Sequence, residues 1–300
     1  MAAIHFRSLK LLAVGRKRTT SKSFNPLGIL VPVLIVVIAG IFFKLYLFSR
    51  ESKLLNLARY NFIVLEPLTF YSLNPKEKTA IKIVLPPNLY VDSAFGYGQY
   101  KLKSVYELGE LDKRGGEVLL ATVSEMLGVP VDGYIDSLNL KKTYNTNLNY
   151  LDLALLGIKY VEIGEGKIKN LDLSALDVLP DLVLADGSTV QTFDPLKFDF
   201  LTQGSFHEET LILENQDLEV LNVGEVAGLG NKAARILGNI GLKVVNVANA
   251  QIPIGDCEVK ADVNSLTARR IAQIFGCKVL QKEPGRANVS LILRVLHPGE

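Results

Sequence analysis

An uninterrupted apolar run near the start of the chain limits what the rest of it can be. From Leu27 to Phe43 every residue is apolar, Gly or Pro, and after Lys44 the run resumes as Leu45-Tyr46-Leu47-Phe48. About 20 such residues are what a helix needs to cross a hydrocarbon core of about 30 Å. Lys44 can snorkel toward the interface, and Tyr46 suits the headgroup level. Pro26 and Pro32 fall before or within the first turns, where a missing N–H costs least. A signal-peptide core is shorter, roughly 7–15 residues, and ends at a small-residue cleavage site. No A-x-A pattern follows this run. The expectation is one transmembrane helix over residues 27–48.

Charge sets its direction. Residues 1–26 hold six basic residues (Arg7, Lys10, Arg16, Lys17, Arg18, Lys22) and no acidic one. The downstream flank is mixed, with Arg50, Glu51, Lys53 and Arg59. The positive-inside bias therefore keeps the tail in the cytoplasm and puts the bulk of the chain outside the cell membrane. Without the tail, 27 basic residues face 31 acidic ones. A nucleic-acid binder needs a basic face on its folded part, so that class is excluded. The tail is too short for a DNA-binding domain and suits anionic lipid instead.

Only two cysteines occur, Cys257 and Cys277. Outside the cytoplasm such a pair is compatible with one disulfide, the alternative being two reduced core thiols. His5, His207 and His297 have no ligand spacing, so no metal site is expected.

Short apolar runs at Tyr60–Leu65 and Leu68–Tyr71, split by Pro67, and the alternation of Thr79–Leu85 predict strands. Glu117–Leu127 is an amphipathic helix stopped by Gly128 and Pro130. Val131–Ile135 and Lys167–Leu173 read as extended and Asn147–Leu156 as helical. Asp186-Gly187 marks a hairpin, and Asp194-Pro195 opens a helix. The stretch 207–217 reads as a linker. Beyond it the order is strand (Leu218–Val223), helix (Leu229–Ile240), strand (Leu242–Val247), strand (Glu258–Ala261), helix (Ser265–Phe275), strand (Asn288–Leu296). That is a two-layer α/β sandwich with a hint of a doubled unit.

Gly228-x-Gly230-x-x-Ala233 copies the dinucleotide fingerprint. The next strand ends in Asn246-Val247-Ala248-Asn249, with no carboxylate for a ribose, so the glycines serve packing. Asp132, Asp136, Asp152, Asp172, Asp177 and Asp181 read as caps and solvated faces, because spacing alone reveals no acid/base pair. Lys101 and Lys103, among Tyr97, Tyr100 and Tyr106, form a basic-aromatic stretch. Lysine can pair with phosphate there, and the ordinary alternative is an exposed loop. Lys101, Lys103 and Tyr106 are the candidate ligand-binding residues; none is assigned a catalytic role.

Residues 218–296 resemble the C-terminal domain of LytR-CpsA-Psr proteins. The carriers are Leu218-Glu219-Val220-Leu221-Asn222-Val223-Gly224 with Val226-Ala227-Gly228-Leu229, then Gly241-Leu242-Lys243-Val244. Thr267-Ala268-Arg269-Arg270-Ile271-Ala272 and Phe275-Gly276-Cys277 complete the match. Residues 79–137 are similar to a worn form of the same family's catalytic domain. Ile83-Val84-Leu85-Pro86 is similar to the strand before a Pro-Arg-Asp signature. Tyr100 to Tyr106 with Gly115-Gly116, and Thr122 to Tyr134, are similar to the segments that follow. The resemblance implies transfer of a glycopolymer from a polyprenyl-phosphate carrier to peptidoglycan, with arginines, an aspartate and Mg²⁺ around the pyrophosphate. Here the signature reads Pro86-Pro87-Asn88, and residues 137–200 contain no arginine. Without guanidinium forks a diphosphate loses its bidentate partners.

The expected organisation is a basic cytoplasmic tail (1–26), a transmembrane helix (27–48), an eroded LytR-CpsA-Psr-like α/β domain (49–206), a linker (207–217) and a LytR C-terminal-like α/β domain (218–300). Both α/β domains are expected to be extracytoplasmic, with mixed sheets and packed helices. The expected role is noncatalytic binding or scaffolding at the cell wall, without cofactor. Membrane lipid, peptidoglycan or wall glycopolymer and other envelope proteins are the expected partners. The rival is an active glycopolymer phosphotransferase, which would use Mg²⁺. A Cys257–Cys277 bridge is also expected.

Overall fold

The computed structural model describes residues 26–138, 145–224, 226–251, 257–282 and 287–294. The basic tail expected at 1–26 lies outside these residues but for Pro26. The chain divides into two units, Met1–Phe48 and Ser49–Glu300.

The apolar run folds as one helix, α1 (Pro26–Glu51). Its described side chains stand in the open, among them Ile35, Val36, Phe42 and Phe43. Those side chains begin at residue 34. Among the described residues, no helix is long and apolar enough to cross a membrane.

The second unit opens with α2 (Lys53–Asn56), β1 (Tyr60–Val64), β2 (Thr69–Asn74) and β3 (Thr79–Val84). The hairpin of β4 (Tyr90–Ser93) and β5 (Gly98–Lys101) follows, then α3 (Val105–Glu110), α4 (Gly115–Leu127) and β6 (Gly133–Ile135). After α5 (Tyr150–Ile163) and β7 (Ile168–Leu171) come the hairpin of β8 (Asp181–Val183) and β9 (Thr189–Gln191), α6 (Pro195–Thr202) and α7 (Glu209–Glu214). The last part comprises β10 (Asp217–Asn222), α8 (Leu229–Asn239), β11 (Lys243–Asn249), β12 (Cys257–Ala261), α9 (Leu266–Phe275), β13 (Lys278–Gln281) and β14 (Val289–Leu293).

The first sheet has the order β6-β1-β2-β3-β7. The central strands are antiparallel meanders, and β6 and β7 join the flanks in parallel. Side chains alternate across a strand. Ile63, Phe70, Ile81 and Ile83 therefore meet α4, while Phe62, Val64, Tyr71 and Leu73 meet α2 and α5. Burial on both faces explains why these strands read as apolar runs more than as alternations. Helix α4 ends where expected: Gly128 takes the left-handed conformation at φ 65°. A Cβ there would also lie 2.7 Å from the Arg235 guanidinium carbon.

The second sheet has the order β11-β10-β14-β12-β13. It consists of two parallel βαβ units, β10-α8-β11 and β12-α9-β13, joined by β14. That last strand runs parallel to β10 and antiparallel to β12. Leu229, Ala233, Ile236 and Leu237 of α8 and Ala268, Ile271 and Phe275 of α9 pack on Leu218, Val220, Val259 and Leu291. The doubled unit hinted at by the sequence is thus present, with one more strand than expected, β13. Only Val279 of its four residues is apolar and partly buried, so it leaves little periodic signal. The stretch 207–217 contains α7, which places Glu208 and Leu211 in the interior.

Cys257 and Cys277 form a disulfide with Cα atoms 4.8 Å apart. They stand one residue before the paired positions Glu258 and Lys278. The bridge therefore ties the entries of two neighbouring parallel strands. Closing a loop of this size stabilises a fold by roughly 3 kcal/mol in the chain-entropy account.

Candidate functional site

The stretch that carries the family-like signature lies at the end of β3. Leu89 and Leu102 are buried and bonded to one another, the Leu102 N–H donating to the Leu89 carbonyl at 2.8 Å. The Lys103 N–H donates to Pro87 at 3.0 Å. This pairing turns Leu102 inward and leaves Lys101 and Lys103 exposed on either side of it. In the β4–β5 register Lys101 lies opposite Tyr90, and Gln99 opposite Asp92. Opposed residues and those two apart share one face of a hairpin, so these four side chains belong to one surface. Tyr90, Asp92 and Gln99 line a groove of about 460 Å³, closed by Phe193, Asn231 and Lys232.

Tyr106 belongs elsewhere. Its hydroxyl accepts from the Asn145 side-chain amide, and its ring meets Tyr134 edge-on at 5.9 Å. The Tyr134 hydroxyl donates to Asn145 at 3.1 Å, and the Asn145 N–H donates to Asp136 at 2.9 Å. Burial, then the contact with Tyr106, raises the Tyr134 hydroxyl pKa above its ordinary value. The three sequence candidates are thus split: two exposed lysines at the groove end and a tyrosine in a half-buried network. Tyr134 and Asn145 gave no local signal, because their partners lie 28 and 39 positions from them in sequence.

The described guanidinium groups are held by protein partners. Arg114 forks onto Glu117 at 2.8 and 2.6 Å and lies 4.2 Å over the Phe95 ring. Arg235 of α8 forks onto Asp199 at 2.6 and 2.9 Å and donates to the carbonyls of Glu125 and Met126. Asn239, one turn on, donates to the carbonyl of Gly128 at 3.0 Å. The open carbonyl end of α4 is therefore satisfied by side chains from the second sheet's helix.

Arg270 of α9 is a deeply placed charge. It is 4% exposed and touches two carboxylates, Asp132 at 2.6 Å and Glu208 at 2.7 Å. Asp132 also accepts the Asn61 N–H at 2.9 Å. Arg59 donates to the His207 carbonyl and to Ser72. Burial opposes the Arg270 charge, but Asp132 and Glu208 outweigh it and raise its pKa. Burial holds the Glu208 carboxyl above its ordinary range in spite of Arg270. This cluster fastens the two sheets' lobes together, and Glu208 and Arg270 also line a cavity of about 450 Å³ with Ser52, Lys53 and Arg269.

Asn88 holds the position at which the resemblance implies an aspartate, and among the described residues no group of three or more His, Cys, Asp or Glu side chains is placed to hold a metal.

Several solved structures are similar to parts of this chain. The chain is similar to B. subtilis TagT at 16% identity and a TM-score of 0.38, covering 49% of this chain and 89% of that one. It is similar at 17% identity and a TM-score of 0.38 to the LytR-CPS2A-psr family protein YwtF (TagT) with bound octaprenyl pyrophosphate lipid, covering 48% and 87%. These neighbours are LytR-CpsA-Psr proteins. A structure of the transcriptional regulator EF0465 from Enterococcus faecalis is similar at 14% identity and a TM-score of 0.35, covering 62% and 87%. No protein-family model matches the chain, and a search of curated proteins returns no significant relative.

Proposed function

We propose that this chain is a membrane-anchored, extracytoplasmic protein of the cell envelope that binds wall glycopolymer without transferring it. The observation that carries the reading is the composition of the groove beside β4–β5. It offers aromatic walls and amide and carboxylate groups, while the two cations in its lining are already held, Arg235 by Asp199 and Lys232 by Glu125. Aromatic faces and side-chain amides suit sugar rings and hydroxyls. Lys101 at the same face suits a phosphate as a point charge. With Arg235 so engaged, the groove has no arginine left for fork-shaped recognition of a diphosphate.

The anchor is supported by the exposed apolar surface of α1 and by the charge asymmetry around it. The disulfide supports an oxidising compartment. The test uses the full chain in lipid nanodiscs. Isolated wall polymer is expected to bind, and Lys101→Ala with Gln99→Ala is expected to weaken binding about tenfold. Transfer or release of glycopolymer from a polyprenyl-pyrophosphate carrier with Mg²⁺ would overturn the noncatalytic reading. Failure to bind both wall polymer and carrier would overturn the binding role.

A further inference from the structure

Three helices meet beside the Arg270 cluster and leave a cavity of about 450 Å³ between them, a size that suits a small molecule. Helix α9 lines it with Leu266, Arg269, Arg270 and Gln273, whose spacing puts them on one helix face. Helix α7 and its cap add Glu208, Thr210 and Leu211, and the start of α2 adds Ser52 and Lys53.

The charges of this lining do not cancel. Glu208 is its one carboxylate, and Arg270 takes both of its oxygens, through Nε at 2.9 and 3.2 Å and Nη2 at 2.7 Å. The carboxylates that touch the lining residues from behind are also spent. Asp132 accepts from Arg270 at 2.6 Å. Asp152 accepts from the Ser52 hydroxyl and from the N–H groups of Lys53 and Leu54 at 3.2 and 3.3 Å. Glu214 accepts from the N–H groups of Leu266 and Thr267 at 3.0 and 2.6 Å. Lys53 and Arg269 remain, and among the described residues their side chains meet only neutral acceptors. Lys53 Nζ donates to the Asp132 carbonyl at 3.2 Å. Arg269 donates to the carbonyls of Asn264 at 2.9 Å and Ser265 at 3.4 Å. A lysine has three donors and an arginine five, so most of both sets is uncommitted.

A tetrahedral oxyanion matches this arrangement. Its oxygens point in several directions, so one group can meet the fork of Arg269 and the point charge of Lys53 together. The two oxygens of a carboxylate share one edge and serve two separate walls less well. Leu57, Ala58 and Leu211 add apolar wall for a small carbon body.

We propose that this cavity binds a phosphate ester, held by Arg269 of α9 and Lys53 of α2, with Thr210 and Gln273 as neutral partners. The site is separate from the groove beside β4–β5 and does not depend on the membrane anchor. Its ligand bonds to helices of both lobes and so stabilises their union. A free phosphate ester and a phospholipid headgroup share this chemistry.

Calorimetric titration of the full chain in nonionic detergent separates them. The probes are glycerol 3-phosphate, glycerol as the uncharged control, and dihexanoyl phosphatidate, which carries the same headgroup on short acyl chains. The expected result is saturable binding of a phosphate ester and none of glycerol. Arg269→Gln and Lys53→Gln are each expected to weaken it about tenfold or more, while Lys169→Gln, an exposed charge on β7, leaves it unchanged. Equal affinity for the two esters assigns the site to the phosphate group itself, and phosphatidate binding that is at least about tenfold tighter assigns it to a lipid headgroup. Gln273→Glu adds a repelling carboxylate at an exposed position without removing a cation, and repeats the test should either cation variant misfold. Binding that survives both Arg269→Gln and Gln273→Glu lies elsewhere and overturns the proposal. Absence of binding by either ester up to about 10 mM overturns it as well.

Discussion

Arg270 illustrates how a single side chain can be costly to remove without being a strong attraction in itself. A buried ion pair gains little over an apolar core, because desolvation offsets the attraction, yet removing one partner strands the other charges. Here Arg270 answers two carboxylates that are 7% and 2% exposed. Arg270→Met is expected to lower stability by about 3–5 kcal/mol, measured by urea denaturation of the full chain in detergent. Adding Asp132→Asn and Glu208→Gln is expected to recover part of that loss, since amides cost less to bury unpaired than carboxylates. A triple variant no more stable than the single one would contradict this account. Residue-scale roles of this kind were the least legible in the sequence. Asp132 and Asp152 read there as caps or solvated groups, as Asp172 and Asp194 indeed are. What separates the two kinds is a partner 138 positions away for Asp132 and 100 away for Asp152, and no local pattern encodes such a distance.

Elements carry their own instructions at their ends. Asn149 caps α5 through the Asp152 N–H at 2.7 Å, and Asp194 caps α6 through Leu196 and Lys197 with Pro195 at the first position. Such local chemistry is why α4, α6, α8 and α9 were readable from sequence. Helix α9 shows what local reading misses. Its cap Ser265 binds the Ala268 N–H, while the N–H groups of Leu266 and Thr267 are taken by Glu214 at 3.0 and 2.6 Å. Burial alone would raise the Glu214 carboxyl, but the bonds from Thr267 and Leu266 outweigh it and hold it below the ordinary value of 4.5. A carboxyl lowered in the folded state adds stability above its unfolded pKa and loses it as pH falls through the folded value. Glu214→Gln is therefore expected to cost about 1 kcal/mol near neutral pH. The gap should close in acid, as the wild-type carboxyl takes up its proton. An unchanged gap at low pH would mean that shape, rather than charge, does the capping. Strand β13 and the hairpin β4–β5 escaped the sequence for a different reason, since short strands with one inward apolar residue or none leave no period to detect.

At the scale of the molecule, the two sheets are joined by groups that are satisfied only when both are in place. Arg235 and Asn239 complete the end of α4, and Arg270 completes Asp132. Residues 49–300 are accordingly expected to melt as one cooperative unit in calorimetry of the reconstituted protein, and two resolved transitions would contradict that. The broad plan was visible beforehand: an apolar run, then mixed α/β folding with a doubled unit at the end. The joints were not visible, since each is built from residues more than 100 positions apart. The placement of β14 has a further effect. Strand β14, at the middle of the second sheet, is made after both βαβ halves that it joins. Until residues 289–293 come through, the two βαβ halves have nothing to pair across. A chain that lacks residues 289–293 thus has two open sheet edges, the kind of surface that quality-control proteases clear.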